Sequence, residues 1–221
     1  MLRDEIEENK EKMKEKSKWE RFKYFWYYHW KVIMLCVIGV CCVISLIFHF
    51  VDESKEPSIY AAMVNCNIYS ADQTDLLSDY VQSRGIDTDV NPATLDVNLQ
   101  MYEDRNDNMD VANSQKLTVY FEHGKIDVLI APDWVIESCA NQAHLANIES
   151  VLPEDLYEKL KDRLIYHTYE DDGRVPVAIY VGDLDKISVL YEGGEDPYFA
   201  IGNLSSRQDT AVDFLRYLLE E

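Results

Sequence analysis

The sequence contains few of the residues that hold small exported folds together or that attract acidic partners. Of 221 residues only 5 are cysteine, 8 are glycine and 6 are proline, so neither a disulfide-dense scaffold nor a low-complexity chain is expected. Basic residues are also scarce after the first quarter, because positions 52–221 hold 12 Lys and Arg against 34 Asp and Glu. Such an acidic surface repels phosphate backbones, which excludes nucleic-acid binding.

Sequence motifs of catalysis are missing as well. The chain has no G-x-S-x-G turn, no P-loop and no G-x-G-x-x-G stretch, and its histidines at 123, 144 and 167 are too widely spaced for a zinc motif. Gly193-Gly194 lies among acidic residues and indicates a turn rather than a phosphate-binding loop. We therefore predict a protein that is not an enzyme and that needs no cofactor.

One long apolar segment is present, at residues 32–51 (VIMLCVIGVCCVISLIFHFV). As a helix, its twenty residues would span about 30 Å, the thickness of the hydrocarbon core of a bilayer. We predict a transmembrane helix here. It divides the chain into a cytoplasmic arm at 1–31, the membrane helix at 32–51, a polar tether at 52–58 and an exported domain at 59–221.

The distribution of charge predicts the orientation of this helix. Positions 10–31 carry eight Lys and Arg against three Glu, whereas the portion after the helix has a net charge of −22. Positive residues next to a membrane helix favour the cytoplasmic side, so the large domain is expected outside the cell. A cleaved signal peptide and a lipoprotein attached through Cys41 remain open alternatives to the retained anchor.

The segment just before the apolar run is rich in aromatic residues. Amphipathic rings prefer the headgroup layer of a bilayer, so we predict a membrane-interface belt on the cytoplasmic face. A cytoplasmic protein partner or anionic lipid is the alternative target for this segment. The belt residues are Trp19, Phe22, Trp26, Tyr27 and Trp30.

The exported portion begins with alternating strand and helix patterns. Strands are predicted at 59–66, 95–102 and 125–132, with helices after Ser70, at 109–124 and from Trp134 with Asp133 as its cap. A further helix opens at Pro153 and carries Leu156, Leu160 and Leu164 on one side. This order is typical of an α/β sheet with parallel strands.

The last third follows a different pattern. Strands at 164–170 and 174–182 flank Asp172-Gly173, which predicts a hairpin, and short strands are predicted at 187–191 and 198–202. Ser206 is predicted to cap a final amphipathic helix. Only Cys66 and Cys139 lie outside the apolar run, and whether they form a disulfide is left open.

A polar loop after the second strand has part of a calcium-binding pattern. Asp104, Asn106, Asn108 and Asp110 supply oxygen atoms at alternating positions, as in a calcium loop. Met109 and Gln115 stand where that loop needs a glycine and a bidentate glutamate. A polar loop that caps the next helix is therefore the favoured interpretation, with calcium as the weaker alternative.

Three stretches resemble extracellular solute-binding proteins. These are KIDVLIAPDWVIESCANQAHLANIESVLPED, DGRVPVAIYVG and the end, YFAIGNLSSRQDTAVDFLRYLLEE. The chain also resembles small single-pass membrane proteins of Gram-positive bacteria, which have aromatic-rich basic starts. The resemblance implies an α/β fold in which a transmembrane helix precedes a shortened, periplasmic-binding-protein-like lobe with a mixed, mainly parallel sheet.

The same resemblance implies a non-catalytic recognition domain in the cell envelope. Its ligand site is expected at the carboxyl ends of the strands, as in other open α/β sheets. The partners expected besides the membrane are a small-molecule ligand or a protein of the envelope. The alternative is a structural or accessory subunit of an envelope or transporter complex that binds no small molecule. The predicted ligand contacts are Asn67, Tyr69, Tyr102, Asp133 and Trp134.

Overall fold

The computed structural model describes residues 17–53, 57–103, 108–170 and 173–220. The chain divides into two compact units, Met1–Lys55 and Glu56–Glu221. Helix α1 (Lys18–Glu53) is the described part of the first unit and includes the whole predicted membrane segment. Its stretch His29–Leu46 is long and apolar enough to cross a membrane.

The second unit is built on one mixed sheet. In the described residues it has six strands in the order β2-β1-β3-β6-β5-β4. The β1–β2 and β1–β3 pairs are parallel, whereas β3–β6, β6–β5 and β5–β4 are antiparallel. Four of these strands therefore run in one direction and two, β4 and β6, in the other. The strands are β1 (Ile59–Val64), β2 (Ala93–Leu99), β3 (Val128–Pro132), β4 (Leu164–Tyr169), β5 (Gly173–Tyr180) and β6 (Pro197–Ile201).

Helices cover both faces of this sheet. The α-helices of the unit are α2 (Leu76–Arg84), α3 (Asn108–Glu122), α4 (Asp133–Asn141), α5 (Ile148–Val151), α6 (Glu154–Leu160), α7 (Asp185–Ser188) and α8 (Gln208–Leu219). Residues of α2, α6 and α8 pack on one face, and residues of α3 and α4 pack on the other. The predicted α/β architecture with a mixed sheet is confirmed.

Strand β1 shows why two helical layers are needed. All six of its residues are buried, and successive side chains of a strand point to opposite faces. Ile59, Ala61 and Met63 belong to one core cluster, whereas Tyr60, Ala62 and Val64 belong to the other. β3 is likewise buried along its length, as its continuous apolar run predicted.

Several predicted helix starts were wrong in detail. Asp133 does not cap α4, because it is the first helical residue and Pro132 takes the N-cap position. Arg207, rather than Ser206, precedes α8. The box formed by Ser70 and Gln73 opens only a 3₁₀ turn at Ala71–Gln73, and α2 begins at Leu76.

Two segments adopt a different structure from the predicted one. The predicted strand at 187–191 is wrong, because this segment contains the end of α7 followed by a turn. Ile187, Leu190 and Tyr191 are buried there at i, i+3 and i+4, the spacing of a helical face. Leu164 belongs to β4 and not to the preceding helix, which ends at Leu160.

Both cysteines of the second unit are free thiols. They cannot form a disulfide in this fold, since Cys66 belongs to the core on one face of the sheet and Cys139 to the core on the other. Burial raises the pKa of the Cys66 thiol, and it raises the pKa of Cys139 to about 12. Near neutral pH both groups are therefore protonated thiols.

We expect neither Cys66 nor Cys139 to react with a maleimide in the folded protein at pH 8. The thiolate is the reactive form, and a raised pKa makes it rare until the pH approaches that pKa. In a full-length variant with Cys36, Cys41 and Cys42 changed to serine, labelling should be more than about 100-fold slower than in denaturant. Rapid labelling of Cys139 in the folded chain would contradict the burial described.

Candidate functional site

The carboxyl ends of three parallel strands lie side by side in the sheet. Because the order is β2-β1-β3, the chain leaves β1 toward β2 on one side and later crosses to β3 on the other. Open α/β sheets bind ligands where the direction of crossing changes. In this fold that position is the crevice between the ends of β1 and β3.

A side chain of the protein itself occupies this crevice. The Tyr191 hydroxyl lies 3.0 Å from both the carbonyl oxygen of Val64 in β1 and that of Ile130 in β3, so its proton is shared between two acceptors. Tyr191 is buried, and burial holds the pKa of its hydroxyl well above the ordinary value. It is therefore a neutral hydrogen-bond donor that closes the point where a ligand would otherwise enter.

The loop that follows Tyr191 is fastened to the strand ends by side chains. Glu195 accepts a hydrogen bond from Trp134 Nε1 at 3.1 Å through one oxygen and from Asn65 Nδ2 at 3.2 Å through the other. Asn65 has a positive φ of 58° and accepts a bond from the Met101 amide. The carboxylate of Glu195 thus joins the segments that follow β1 and β3.

A cavity of about 290 Å³ opens beside this closed crevice, between α3, α4 and the residues 101–103 that follow β2. Its apolar wall includes Leu117, Val135 and Cys139, which are buried. Two pairs of polar side chains at i, i+4 also line it: Ser114 and Thr118 on α3, and Ser138 on α4 with Gln142, the residue that caps the end of α4. The Thr118 hydroxyl lies 3.5 Å from Gln142 Oε1, so α3 contacts the C-terminal end of α4 through these groups.

The aromatic and acidic lining comes from the ends of β2 and β3. Tyr102 and Glu103 follow β2, Trp134 follows β3, and Asp110 lies in the first turn of α3. Tyr102 and Glu103 are exposed, Trp134 is half-buried and Asp110 is buried. The cavity therefore combines an apolar wall, neutral hydrogen-bonding groups, two aromatic rings and two carboxyl groups, the composition of a small-ligand pocket.

The structure brings together two of the five predicted ligand contacts, Tyr102 and Trp134. Asn67 lies elsewhere, with its side-chain amide donating to the Glu192 carbonyl at 2.7 Å. Tyr69 is 73% exposed, and Asp133 lines a separate groove with residues of β4. The lining residues of α3 were not predicted from the sequence. The polar pair Ser114 and Thr118, spaced i, i+4 in a predicted helix, could have indicated a polar surface there.

The cavity has little of what covalent or metal chemistry requires. Its cysteine, Cys139, is a protonated thiol because burial raises its pKa to about 12. Among the residues that the structure describes, no group of three or more His, Cys, Asp and Glu is arranged to hold a metal ion. What this set of side chains can do is bind a ligand through hydrogen bonds and ring contacts.

Two other sequence predictions remain predictions. Of the calcium pattern, Asp104 and Asn106 lie outside the described residues, Asn108 is the first residue of α3 and Asp110 is part of the cavity. The predicted membrane-interface residues Trp19, Phe22, Trp26, Tyr27 and Trp30 are exposed on α1. The first three form a stack, with ring centroids 5.9 and 6.1 Å apart.

Fold and site together define an α/β domain with a small pocket beside the carboxyl ends of its parallel strands. Comparison with known proteins gives no match: no protein-family model, no curated protein and no solved structure is significantly similar to this chain. What the domain does must therefore be argued from its own residues.

Proposed function

We propose that the chain is a single-pass membrane protein whose α/β domain lies outside the cytoplasm and recognises a small polar ligand without catalysis. The observation that carries the proposal is the cavity of about 290 Å³ between α3 and α4, with Tyr102 and Trp134 in its lining. The apolar stretch His29–Leu46 of α1 supplies the membrane anchor.

Two further observations support this function. The positive charge before the apolar stretch and the net charge of −22 after it favour an outward-facing domain. The resemblance of three sequence stretches to extracellular solute-binding proteins agrees with a ligand site at the strand ends. In this proposal the domain corresponds to one shortened lobe of that architecture, on a retained anchor.

The orientation can be tested with single cysteines. In the background with Cys36, Cys41 and Cys42 changed to serine, Tyr69→Cys adds a thiol at a well exposed position of the domain and Ser17→Cys adds one before α1. A membrane-impermeant maleimide should label intact cells at position 69 and label position 17 only after lysis.

Two outcomes would reject the proposed orientation or the proposed anchor. Labelling at position 17 but not at 69 in intact cells means the reverse orientation. A chain that is released from the membrane and is shorter than the full 25.7 kDa by the arm and the apolar run means that the segment is a cleaved signal. The unmodified background variant is the control, since Cys66 and Cys139 are buried.

A second candidate function is favoured by Tyr191. Because this side chain closes the crevice between β1 and β3, the domain would serve as a structural or accessory subunit of an envelope or transporter complex, with no small-molecule ligand. Native mass spectrometry of the full-length protein in detergent separates the two functions. A retained small molecule supports the recognition function. A stoichiometric protein partner, with no retained small molecule, supports the function of a structural or accessory subunit.

A further inference from the structure

We infer that the cavity between α3 and α4 binds a small organic cation with a primary ammonium group. This inference rests on the proposed recognition function and names its ligand class. The charge of the lining is the first argument. Glu103 and Asp110 are carboxyl groups, and the described lining residues include no Lys or Arg. An anion would meet repulsion here, whereas a cation gains attraction.

The aromatic side chains are the second argument. The face of a tyrosine or tryptophan ring attracts a cation within about 6 Å of its centroid, and Tyr102 and Trp134 line the cavity from two different strand ends. The hydrogen bond from Trp134 Nε1 to Glu195 holds the indole and places a third carboxylate beside its N–H group. That negative charge increases the attraction of this region for a cation.

The domain already uses the same interaction between its own side chains. Lys125 Nζ lies 4.3 Å from the ring centroid of Tyr120 and 5.4 Å from that of Tyr60. The Arg174 guanidinium lies 4.5 Å from the centroid of the Tyr166 ring. A ligand cation against the ring of Tyr102 or Trp134 would make the same kind of cation–π contact.

The hydrogen-bonding groups decide between kinds of cation. A primary ammonium has three N–H donors and needs acceptors, whereas a quaternary ammonium needs none. Ser114, Thr118, Ser138 and Gln142 line the cavity together with the two carboxyl groups and can accept hydrogen bonds. A volume of about 290 Å³ lies at the lower end of ligand pockets, so the cation must be small.

Three ligands of nearly equal shape but different charge test the inference: n-butylamine, 1-butanol and butyrate. Binding to the full-length protein in detergent is measured by calorimetry at pH 7 and at two salt concentrations. Butylamine should bind at least about tenfold more tightly than butanol, with butyrate weakest, and added salt should reduce the difference. Equal affinity for butylamine and butanol would overturn the inference.

Matched variants show whether this cavity is the site. Glu103→Gln and Trp134→Leu should each weaken butylamine binding about tenfold. Glu137→Gln is the control, since Glu137 is an exposed carboxylate on the same helix as Trp134 but lines a different groove. Equal loss in Glu103→Gln and Glu137→Gln would mean attraction by overall charge only and would reject this site.

Failure of the ligand class can be distinguished from failure of the recognition function. Suppose that butylamine does not bind but native mass spectrometry shows another small molecule that is lost in Trp134→Leu. The inferred ligand class is then rejected, and the proposed recognition function is kept. If neither butylamine nor a retained molecule is detected in the wild-type protein, both proposals are rejected. A folded Trp134→Leu chain is required for either conclusion, and it is checked by the protection from maleimide of Cys66, which is buried on the opposite face of the sheet.

Discussion

Replacing Asp127 by alanine is expected to lower the free energy of unfolding by about 3–5 kcal/mol. Asp127 is fully buried, and its carboxylate accepts hydrogen bonds from the Tyr60 amide at 2.7 Å, from Arg207 Nε at 2.9 Å and from the Ser205 hydroxyl. Alanine would leave a largely buried guanidinium, an amide and a hydroxyl without their acceptor. These groups join β1 to the start of α8, so the C-terminal helix should loosen first.

The buried cysteine makes this loss measurable in the full-length protein. In the background with Cys36, Cys41 and Cys42 changed to serine, maleimide labelling of Cys139 against urea concentration reports unfolding of the domain. Glu158→Gln is the matched control, because Glu158 pairs with Lys161 at the surface and such pairs contribute at most about 1 kcal/mol. A loss below about 1 kcal/mol for Asp127→Ala would show that this network does not hold the helix.

Tyr191→Ala is expected to destabilise the domain by about 3–5 kcal/mol, as for other buried aromatic side chains. The substitution removes a buried ring whose hydroxyl contacts the ends of β1 and β3, and it leaves a cavity at these strand ends. Tyr191→Phe keeps the ring but removes the bond to Val64 O and Ile130 O, so a smaller loss of about 1–3 kcal/mol is expected. The same urea titration measures both variants.

Tyr69→Ala provides the control for Tyr191, because Tyr69 is 73% exposed and a surface change should stay within about 0.5 kcal/mol. Equal stability of Tyr191→Ala and Tyr69→Ala would mean that the crevice is closed without Tyr191. A loss in Tyr191→Phe as large as that in Tyr191→Ala would assign the effect to the hydroxyl alone. Either result would change the description of the strand ends.

Most of the elements of the domain could be predicted from the sequence because their signals are local. Continuous apolar runs predict β1 and β3, the alternation of apolar and polar residues predicts β2, and the Asp172-Gly173 pair predicts the observed β4–β5 hairpin. The segment at 187–191 was mistaken for a strand because its apolar residues satisfy period 2 and helical spacing equally well. In the fold, Ile187, Leu190 and Tyr191 are buried, which matches the helical spacing and not period 2.

Contacts between distant segments could not be predicted in this way. Asp96 alternates with the apolar Leu95 and Val97 of β2, a pattern that indicates a solvent-facing side chain. It is nevertheless buried, with the Tyr60 hydroxyl at 2.8 Å and Lys116 Nζ at 2.6 Å. Burial alone would raise the pKa of Asp96, but these two partners outweigh it and the pKa is lowered. The position of Tyr191, 127 residues from Val64, likewise depends on the whole fold.

The place of β6 in the sheet has a consequence for how the protein is made. β6 is the last strand in the chain, yet it lies between β3 and β5 and joins the parallel part of the sheet to the hairpin. During synthesis from the amino end, the hairpin cannot dock until residues 197–201 have emerged. Until then β3 presents an unpaired edge that invites aggregation, so ribosome-bound chains that end before β6 should require chaperone protection.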